Sequence, residues 1–139
     1  LYIPPGPDRY PNYKTGDPIP ITAAQITQSD ATSRDTRRPA IKNAIKHAWN
    51  NYKSHAWGKD ELHPLSRRGT DSWGGMAVTM LDALDTLHVA GLHDEFREAR
   101  DYVAAHLRFD DVIAEVSVFE TTIRVLAGLL AAYDRSGEG

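Results

Sequence analysis

The pattern of apolar and polar positions along the chain predicts a protein made of helices. After residue 34, apolar residues recur at helical spacing over residues 35–56, 76–90, 94–109 and 117–134. The sequence has no convincing alternating pattern that would predict a strand. The first and third helices each have one apolar stripe, whereas the second and fourth are apolar around most of their circumference. We therefore predict that the second and fourth helices are buried.

Glycines and acidic residues indicate where these helices begin and end. Gly91 follows the second helix as a predicted C-terminal stop, and Gly137 follows the fourth. Asp94 and Glu95 lie in the first turn of the third helix, where negative charge is favourable. Residues 57–75 are rich in Gly and polar side chains and predict a loop. The simplest arrangement is two helical hairpins.

The alternation of surface and buried helices favours one architecture over a small bundle. An up-down bundle requires amphipathic helices around a single shared core. Helices that are apolar nearly all round suit the inner layer of a two-layer ring, where neighbours cover them on both sides. Four helices are too few to close such a ring, so we expect further chain to complete it.

The first 33 residues have a different composition from the rest. They contain most of the eight prolines, together with Gly, Asp, Thr and Ser, and show no apolar period. We predict an extended N-terminal arm or linker over residues 1–33 and a helical domain over residues 34–139.

Composition and charge exclude several kinds of partner. With 41% hydrophobic and 25% charged residues, the chain has the composition of a soluble globular protein. Its net charge of -3 and pI of about 6.1 provide no basic surface for nucleic acid and no polybasic anchor for a membrane. Cysteine is absent, so disulfides cannot staple the chain, but this does not fix its compartment.

Charged residues occur in both helices that are predicted to be buried. Asp82 and Asp85 lie three residues apart on one face of the second helix, and Glu120 and Arg124 lie one turn apart in the fourth. In a structural interpretation, Asp82 pairs with an arginine and Asp85 bonds the backbone amides of a loop. Ser117 and Glu120 then form an S-x-x-E capping box, and Arg124 pairs with Glu120.

A catalytic interpretation uses the same acids. Carboxylates that meet in a cavity can hydrolyse a glycosidic bond, because one protonates the leaving oxygen and another activates water or attacks the sugar. Glu120 lies near the start of its helix, where an inner helix of a ring would open into a cavity. On these residues alone, both interpretations stay open.

Three ordered stretches resemble one known family. They are "HAWNNYKSHAWGKDEL", "MLDALDTLHVAGLHDEFREAR" and "EVSVFETTIRVLAGLLAAY". They resemble the N-terminal part of the class I α-1,2-mannosidases, glycoside hydrolase family 47, over about residues 34–137. The resemblance implies an all-α fold whose hairpins form the first part of an (α/α)7 barrel. It also implies a calcium ion, and inverting removal of terminal α-1,2-linked mannose from high-mannose N-glycans.

The resemblance implies a role for each matching residue. Glu120 matches the general acid, Asp82 and Arg124 match residues that contact the sugar, and Asp85 is expected to be structural. The general base and the calcium ligand are expected in a later part of the barrel, and no metal ligand is expected in this chain. A framework that fixes the first helix and its loop is expected from His47, Trp49, Trp57, Asp60 and Glu61.

Partners and location follow from the same resemblance. We expect a high-mannose N-glycan as substrate and the remainder of the same polypeptide as a second fragment, with no nucleic acid and no membrane contact by this segment. The implied location is the lumen of the endoplasmic reticulum or Golgi, or the outside of the cell. Two alternatives stay open: a mannosidase-like glycan-binding protein of quality control with weak or no hydrolysis, and a helical interaction domain.

Overall fold

The computed structural model describes residues 23–110, 112 and 114–137, and most of these residues are helical. This confirms the prediction of a mainly helical chain. Within the described residues, no helix is both long enough and apolar enough to cross a membrane. The elements, in chain order, are α1 (Ala23–Thr32), a first π-helical segment (Ser33–Arg37), α2 (Arg38–Ala56), β1 (Glu61–His63), β2 (Arg68–Thr70), α3 (Val78–Val89), α4 (His93–His106), α5 (Val118–Glu120), a second π-helical segment (Thr121–Leu126) and α6 (Ala127–Ser136).

The chain divides into two compact units, residues 1–39 and 40–139. In the first unit, Ala23–Thr32 is helical, so the prediction of an extended arm is wrong for this stretch. A helix can form here because the sequence between Pro20 and Pro39 contains no proline or glycine that would interrupt it. The proline-rich residues 1–22, on which the rest of that prediction falls, lie outside the described residues.

Helix α3 forms the centre of the second unit and packs against α4 and α6. Five of its twelve residues are buried, which confirms the predicted burial of the second helix. Full burial of one large apolar side chain contributes about 1.5–3 kcal/mol. The core side chains of α3 are Val78, Met80, Leu81, Leu84 and Leu87; its neighbours add Trp49, Tyr52, Ala56, Phe96, Ala99, Val103, Val125 and Ala132.

The turn after α3 makes the first helical hairpin. The N–H of Gly91 donates to the carbonyl of His88 at 3.0 Å, and the N–H of Leu92 donates to the carbonyl of Leu87 at 2.9 Å. Gly91 has a φ of 69°, so this is a Schellman motif. The prediction that Gly91 stops the second helix is confirmed, and α4 begins two residues later at His93.

A small antiparallel hairpin lies in the region that was predicted to be a loop. Strands β1 and β2 pair Glu61 with Thr70 and His63 with Arg68. The prediction that the chain has no strand is therefore wrong here. Each strand has three residues, which is too short for a period-two pattern to stand out from the polar residues around it.

The final helical stretch, residues 118–136, is buried on one side only. Val125 and Ala132 are buried, and Gly128 brings the stretch close to α3. The predicted burial on most sides is wrong for this stretch, because α3 is its main packing partner among the described residues. Large apolar side chains on its other sides are 47% to 68% exposed and form what we call the apolar stripe: Phe119, Ile123, Leu126, Leu130 and Tyr133.

Candidate active site

The candidate site begins at the N-terminus of the final helical stretch. Ser117 has an extended backbone, and its Oγ accepts a hydrogen bond from the N–H of Glu120 at 3.3 Å. Ser117 is therefore the N-cap, as predicted. The carboxylate of Glu120 bonds Arg124 rather than the N–H of Ser117, so only half of the predicted capping box forms. This leaves the carboxylate of Glu120 available for contacts outside the cap.

Arg124 joins carboxylates from two different helices. Its Nε donates to Oε2 of Glu120 at 2.6 Å, and its Nη1 donates to Oδ2 of Asp82 at 2.6 Å. The first bond spans one turn of the final stretch, and the second crosses to α3. The predicted pairing of Glu120 with Arg124, and of Asp82 with an arginine, is confirmed. We call these three residues the acid–arginine cluster.

The backbone that carries Arg124 is π-helical over Thr121–Leu126. Such turns are rare, and they are frequent at functional sites. Within this stretch, the hydroxyl of Thr122 donates to the carbonyl of Val118 at 2.7 Å. The irregular turn lies directly after Glu120 and therefore sets the direction in which Arg124 leaves the helix.

The acid–arginine cluster is open to solvent. The exposed side-chain fractions are 36% for Asp82, 29% for Glu120 and 40% for Arg124. The hydrogen bonds to Glu120 and then to Asp82 raise the pKa of Arg124 above its ordinary value. Two carboxyl groups share one guanidinium. A polar ligand can reach the cluster.

Trp73 is a member of the site that the sequence analysis did not single out. Its ring lies 5.6 Å from the guanidinium carbon of Arg124, in cation–π geometry. The ring is half-buried, and it comes from the loop before α3. The only signal in the sequence is an aromatic residue followed by two glycines in a polar segment, which does not indicate its partner.

Asp60 fixes the loop that carries Trp73. This residue is fully buried, and its Oδ2 accepts hydrogen bonds from the N–H groups of Trp73 at 2.7 Å and Gly75 at 2.8 Å. Its Oδ1 accepts from the N–H of Val78 at 3.2 Å. Its carbonyl accepts from the N–H of Thr79 at 3.0 Å. The predicted framework role of Asp60 is confirmed, and the carboxylate also caps the first turn of α3.

The other predicted framework residues have mixed outcomes. Trp49 is buried, and Trp57 packs edge-on against it with ring centroids 5.7 Å apart, as expected of a framework. Glu61 accepts a hydrogen bond from the hydroxyl of Ser72 in the same loop. His47 is exposed and contacts only its own helical turn through Asn51, among the described residues.

Asp85 does not have the structural role that the sequence suggested. Its carboxylate accepts a weak hydrogen bond from the hydroxyl of the adjacent Thr86 at 3.5 Å. Bonds from Asp85 to the backbone amides of a loop are not found in the described part of the chain. That kind of bonding is instead made by Asp60, because its position after α2 points the carboxylate into the loop before α3.

A calcium ion takes six to eight oxygen ligands in proteins. The described ranges contain no group of three or more His, Asp or Glu side chains that could hold a metal ion. Asp82 and Glu120 both bond Arg124, whose positive charge opposes a second cation. Asp82 and Glu120 therefore do not fit a calcium site.

The fold and the site together define a helical protein with paired carboxylates that are accessible to a polar ligand, as in glycoside hydrolases. Comparison with known proteins agrees, because the model of glycosyl hydrolase family 47 matches residues 44–139. The chain belongs to glycosyl hydrolase family 47, which confirms the resemblance seen in its three motifs.

Individual relatives show the extent of this similarity. The chain is 54% identical over 102 residues to mannosyl-oligosaccharide 1,2-alpha-mannosidase MNS1 of Arabidopsis thaliana, covering 73% of this chain and 18% of that protein. It is 50% identical over 121 residues to mannosyl-oligosaccharide 1,2-alpha-mannosidase IA of Sus scrofa, covering 85% and 18%. It is 40% identical over 132 residues to the endoplasmic reticulum mannosyl-oligosaccharide 1,2-alpha-mannosidase of Homo sapiens, covering 95% and 18%. The chain thus spans less than a fifth of the length of these relatives.

Proposed function

We propose that this protein removes terminal α-1,2-linked mannose from high-mannose N-glycans, with inversion at the anomeric carbon. The observation that carries the proposal is the solvent-accessible cluster in which Arg124 bridges Glu120 and Asp82. It is supported by the relatives, which are named mannosyl-oligosaccharide 1,2-alpha-mannosidases.

Glu120 is the general acid in this proposal. Its Oε2 accepts from Arg124, whereas its Oε1 makes no hydrogen bond within the described residues. Oε1 is therefore the oxygen that can carry a proton to the leaving glycosidic oxygen. A guanidinium favours the ionised form of a carboxyl group, but Arg124 divides its charge between Glu120 and Asp82.

Asp82 and Arg124 bind the sugar in this proposal. A guanidinium has five N–H donors, and the two carboxylates use one at Nε and one at Nη1. The other donors of Arg124, and Oδ1 of Asp82, match the acceptors and donors of mannose hydroxyls. An inverting enzyme places its general base about 6.5–9.5 Å from the acid, with a water between them. We assign that base to a part of the protein outside this chain.

Residues 34–139 form the N-terminal portion of an (α/α)7 barrel in this proposal, with residues 1–33 as a preceding segment. The remainder of the polypeptide covers the apolar stripe and supplies the ligand for calcium. The exposed apolar stripe supports this, because soluble proteins seldom leave a long apolar surface in water. The proposed location is the lumen of the secretory pathway or the outside of the cell; the human relative, named as an endoplasmic reticulum enzyme, supports the first of these.

The test is release of mannose by the full-length protein from a high-mannose oligosaccharide. We expect Glu120→Gln to abolish release while circular dichroism stays unchanged, because the amide cannot donate a carboxylic proton. Asp134→Asn makes the same chemical change at an exposed position of the same helical stretch and should leave activity unchanged. An active Gln variant would refute the acid role of Glu120.

Two further readouts test the finer parts of the proposal. The first mannose released should be the β anomer by NMR if the reaction inverts, and α-mannose would refute inversion. Excess EDTA should stop release, and full activity in EDTA would refute the role of calcium. A wild-type protein that binds the glycan but releases no mannose would favour the glycan-binding alternative.

A further inference from the structure

We propose that Asp60 is a positioning residue for the acid–arginine cluster and that it acts on Arg124 through Trp73. The residue is fully buried and its contacts are to other residues of the protein. It is reached neither by solvent nor by a sugar. The kinetic test of this inference rests on the proposed function, because it measures mannose release. The structural test depends only on the geometry of the contacts.

Two contacts hold Arg124 from outside its own helical stretch. One is the hydrogen bond to Asp82 in α3, and the other is the ring of Trp73 at 5.6 Å. Asp60 forms hydrogen bonds with both segments that make these contacts. Its Oδ2 accepts from the N–H of Trp73, and its Oδ1 accepts from the N–H of Val78, one turn before Asp82. One carboxylate thus fixes both supports of Arg124.

The loop between Asp60 and α3 has the geometry of a segment folded around this carboxylate. Gly74 and Gly75 both have a φ of 80°, and Ala77 has a φ of 56°, which is costly for a residue with a side chain. The N-cap residue Ala77 makes no side-chain hydrogen bond to α3. The carboxylate of Asp60, which is distant in sequence, instead accepts a hydrogen bond from the N–H of Val78 in the first turn. Three backbone N–H groups between Trp73 and Val78 donate to this one carboxylate.

Only a carboxylate satisfies this site. A buried carboxylate is costly unless its oxygens accept hydrogen bonds, and here three backbone N–H groups supply them at 2.7 to 3.2 Å. Asparagine has one acceptor oxygen and would place an NH₂ donor against a backbone N–H. We therefore expect Asp60→Asn to release part of the loop and with it the ring of Trp73.

Release of that ring affects the reaction through Arg124. The guanidinium side chain is 40% exposed, so its position depends on the few groups that it contacts. Misplacement of a reacting group by about 1 Å can lower a rate by about 100-fold. We expect Asp60→Asn to lower kcat by about 10- to 100-fold in a protein that stays folded.

The kinetic test is a double-mutant cycle in the full-length protein. Asp60→Asn and Trp73→Ala should each lower kcat, and the double variant should be clearly less impaired than the product of the two single effects, because both changes disturb the same ring. Val103→Ala, a buried change in α4, should lower Tm comparably and leave kcat within about twofold, since it creates only a cavity. Independent, multiplying effects of Asp60→Asn and Trp73→Ala would overturn the inference.

A crystal structure of the Asp60→Asn variant decides the inference without any activity. We expect the ring of Trp73 to leave Arg124 and the bond from Arg124 to Asp82 to break or lengthen. An unchanged set of contacts would overturn the proposal, whereas a wild-type protein without mannose release would refute only the proposed function. If the Asn variant does not fold, Asp60→Glu keeps both acceptor oxygens while its extra methylene displaces the loop, and it is expected to show the same lack of additivity with Trp73→Ala.

Discussion

Gly128 sets how closely the final helical stretch approaches α3, and its replacement by Ala is the sharpest test of that packing. A Cβ at this position would lie 2.9 Å from the carbonyl oxygen of Leu81, which is about 0.5 Å short of the 3.4 Å at which ordinary contact begins. The obstacle is backbone, so it cannot turn aside as a side chain would. The two helices must therefore separate by about half an ångström.

Two opposing terms decide the effect on stability. Overpacking of a close contact costs about 1–3 kcal/mol, whereas Ala in place of Gly in a helix gains about 1 kcal/mol. The expected net loss for Gly128→Ala is therefore about 0–2 kcal/mol, seen as a fall in Tm of a few degrees at most. Arg124 lies one turn before Gly128, and Asp82 follows Leu81. The same separation would stretch their bond from 2.6 Å to about 3 Å and lower kcat/KM by about 10-fold.

The assay compares Tm and mannose release of full-length Gly128→Ala with those of Ala105→Gly. Ala105 is exposed on α4, so its replacement should cost about 1 kcal/mol through helix propensity alone and leave kcat/KM unchanged. A Gly128→Ala protein with a higher Tm than wild type and full activity would show that the helices have room for a methyl group. That result would refute the argument from close approach.

Two other substitutions test individual ion pairs. Arg124→Lys should lower kcat/KM by about 10-fold or more, because a single Nζ cannot replace separate Nε and Nη1 donors to two carboxylates; near-normal activity would mean that charge alone suffices. Glu95→Gln should lower Tm at pH 7, and the difference from wild type should shrink as pH falls below 4.5. The hydrogen bond from Lys46 lowers the pKa of Glu95 below 4.5, so its stabilisation is present above that value and is lost as pH falls through the folded pKa. A Tm difference between wild type and variant that does not shrink as the solution is acidified would contradict this.

Helices were predicted best where the apolar spacing and a residue that ends a helix, such as glycine, indicate the same boundary. Helix α3 is the clearest case, because its apolar residues lie on nearly all sides and Gly91 supplies the left-handed residue of a Schellman motif. The final stretch has a similar pattern but is exposed along its apolar stripe. An apolar pattern indicates that a helix face tends to be buried. It does not indicate which part of the protein buries that face.

Predictability of the site falls with separation along the chain. The pair of Glu120 and Arg124 is one turn apart, so helical geometry alone predicts it. The bond from Arg124 to Asp82 joins residues 42 positions apart, and the sequence indicated only that Asp82 would take some arginine. Trp73 lies in an irregular loop that is followed by positive φ angles at Gly74, Gly75 and Ala77, and no periodic pattern in the sequence predicts the contact of its ring with Arg124.

The capping and catalytic interpretations of Glu120 use different atoms and do not compete. The cap uses the backbone N–H of Glu120, which Ser117 accepts at 3.3 Å. The cluster uses Oε2 of the same residue, which accepts from Arg124 at 2.6 Å. Because the cap needs no carboxylate oxygen, Oε1 stays available for proton transfer while Ser117 still fixes the start of the helix. The helix cap fixes the backbone of Glu120, and Arg124 orients its carboxyl group. The side chain is still 29% exposed. Such a group can reach the leaving oxygen of a bound sugar, as the proposed general acid must.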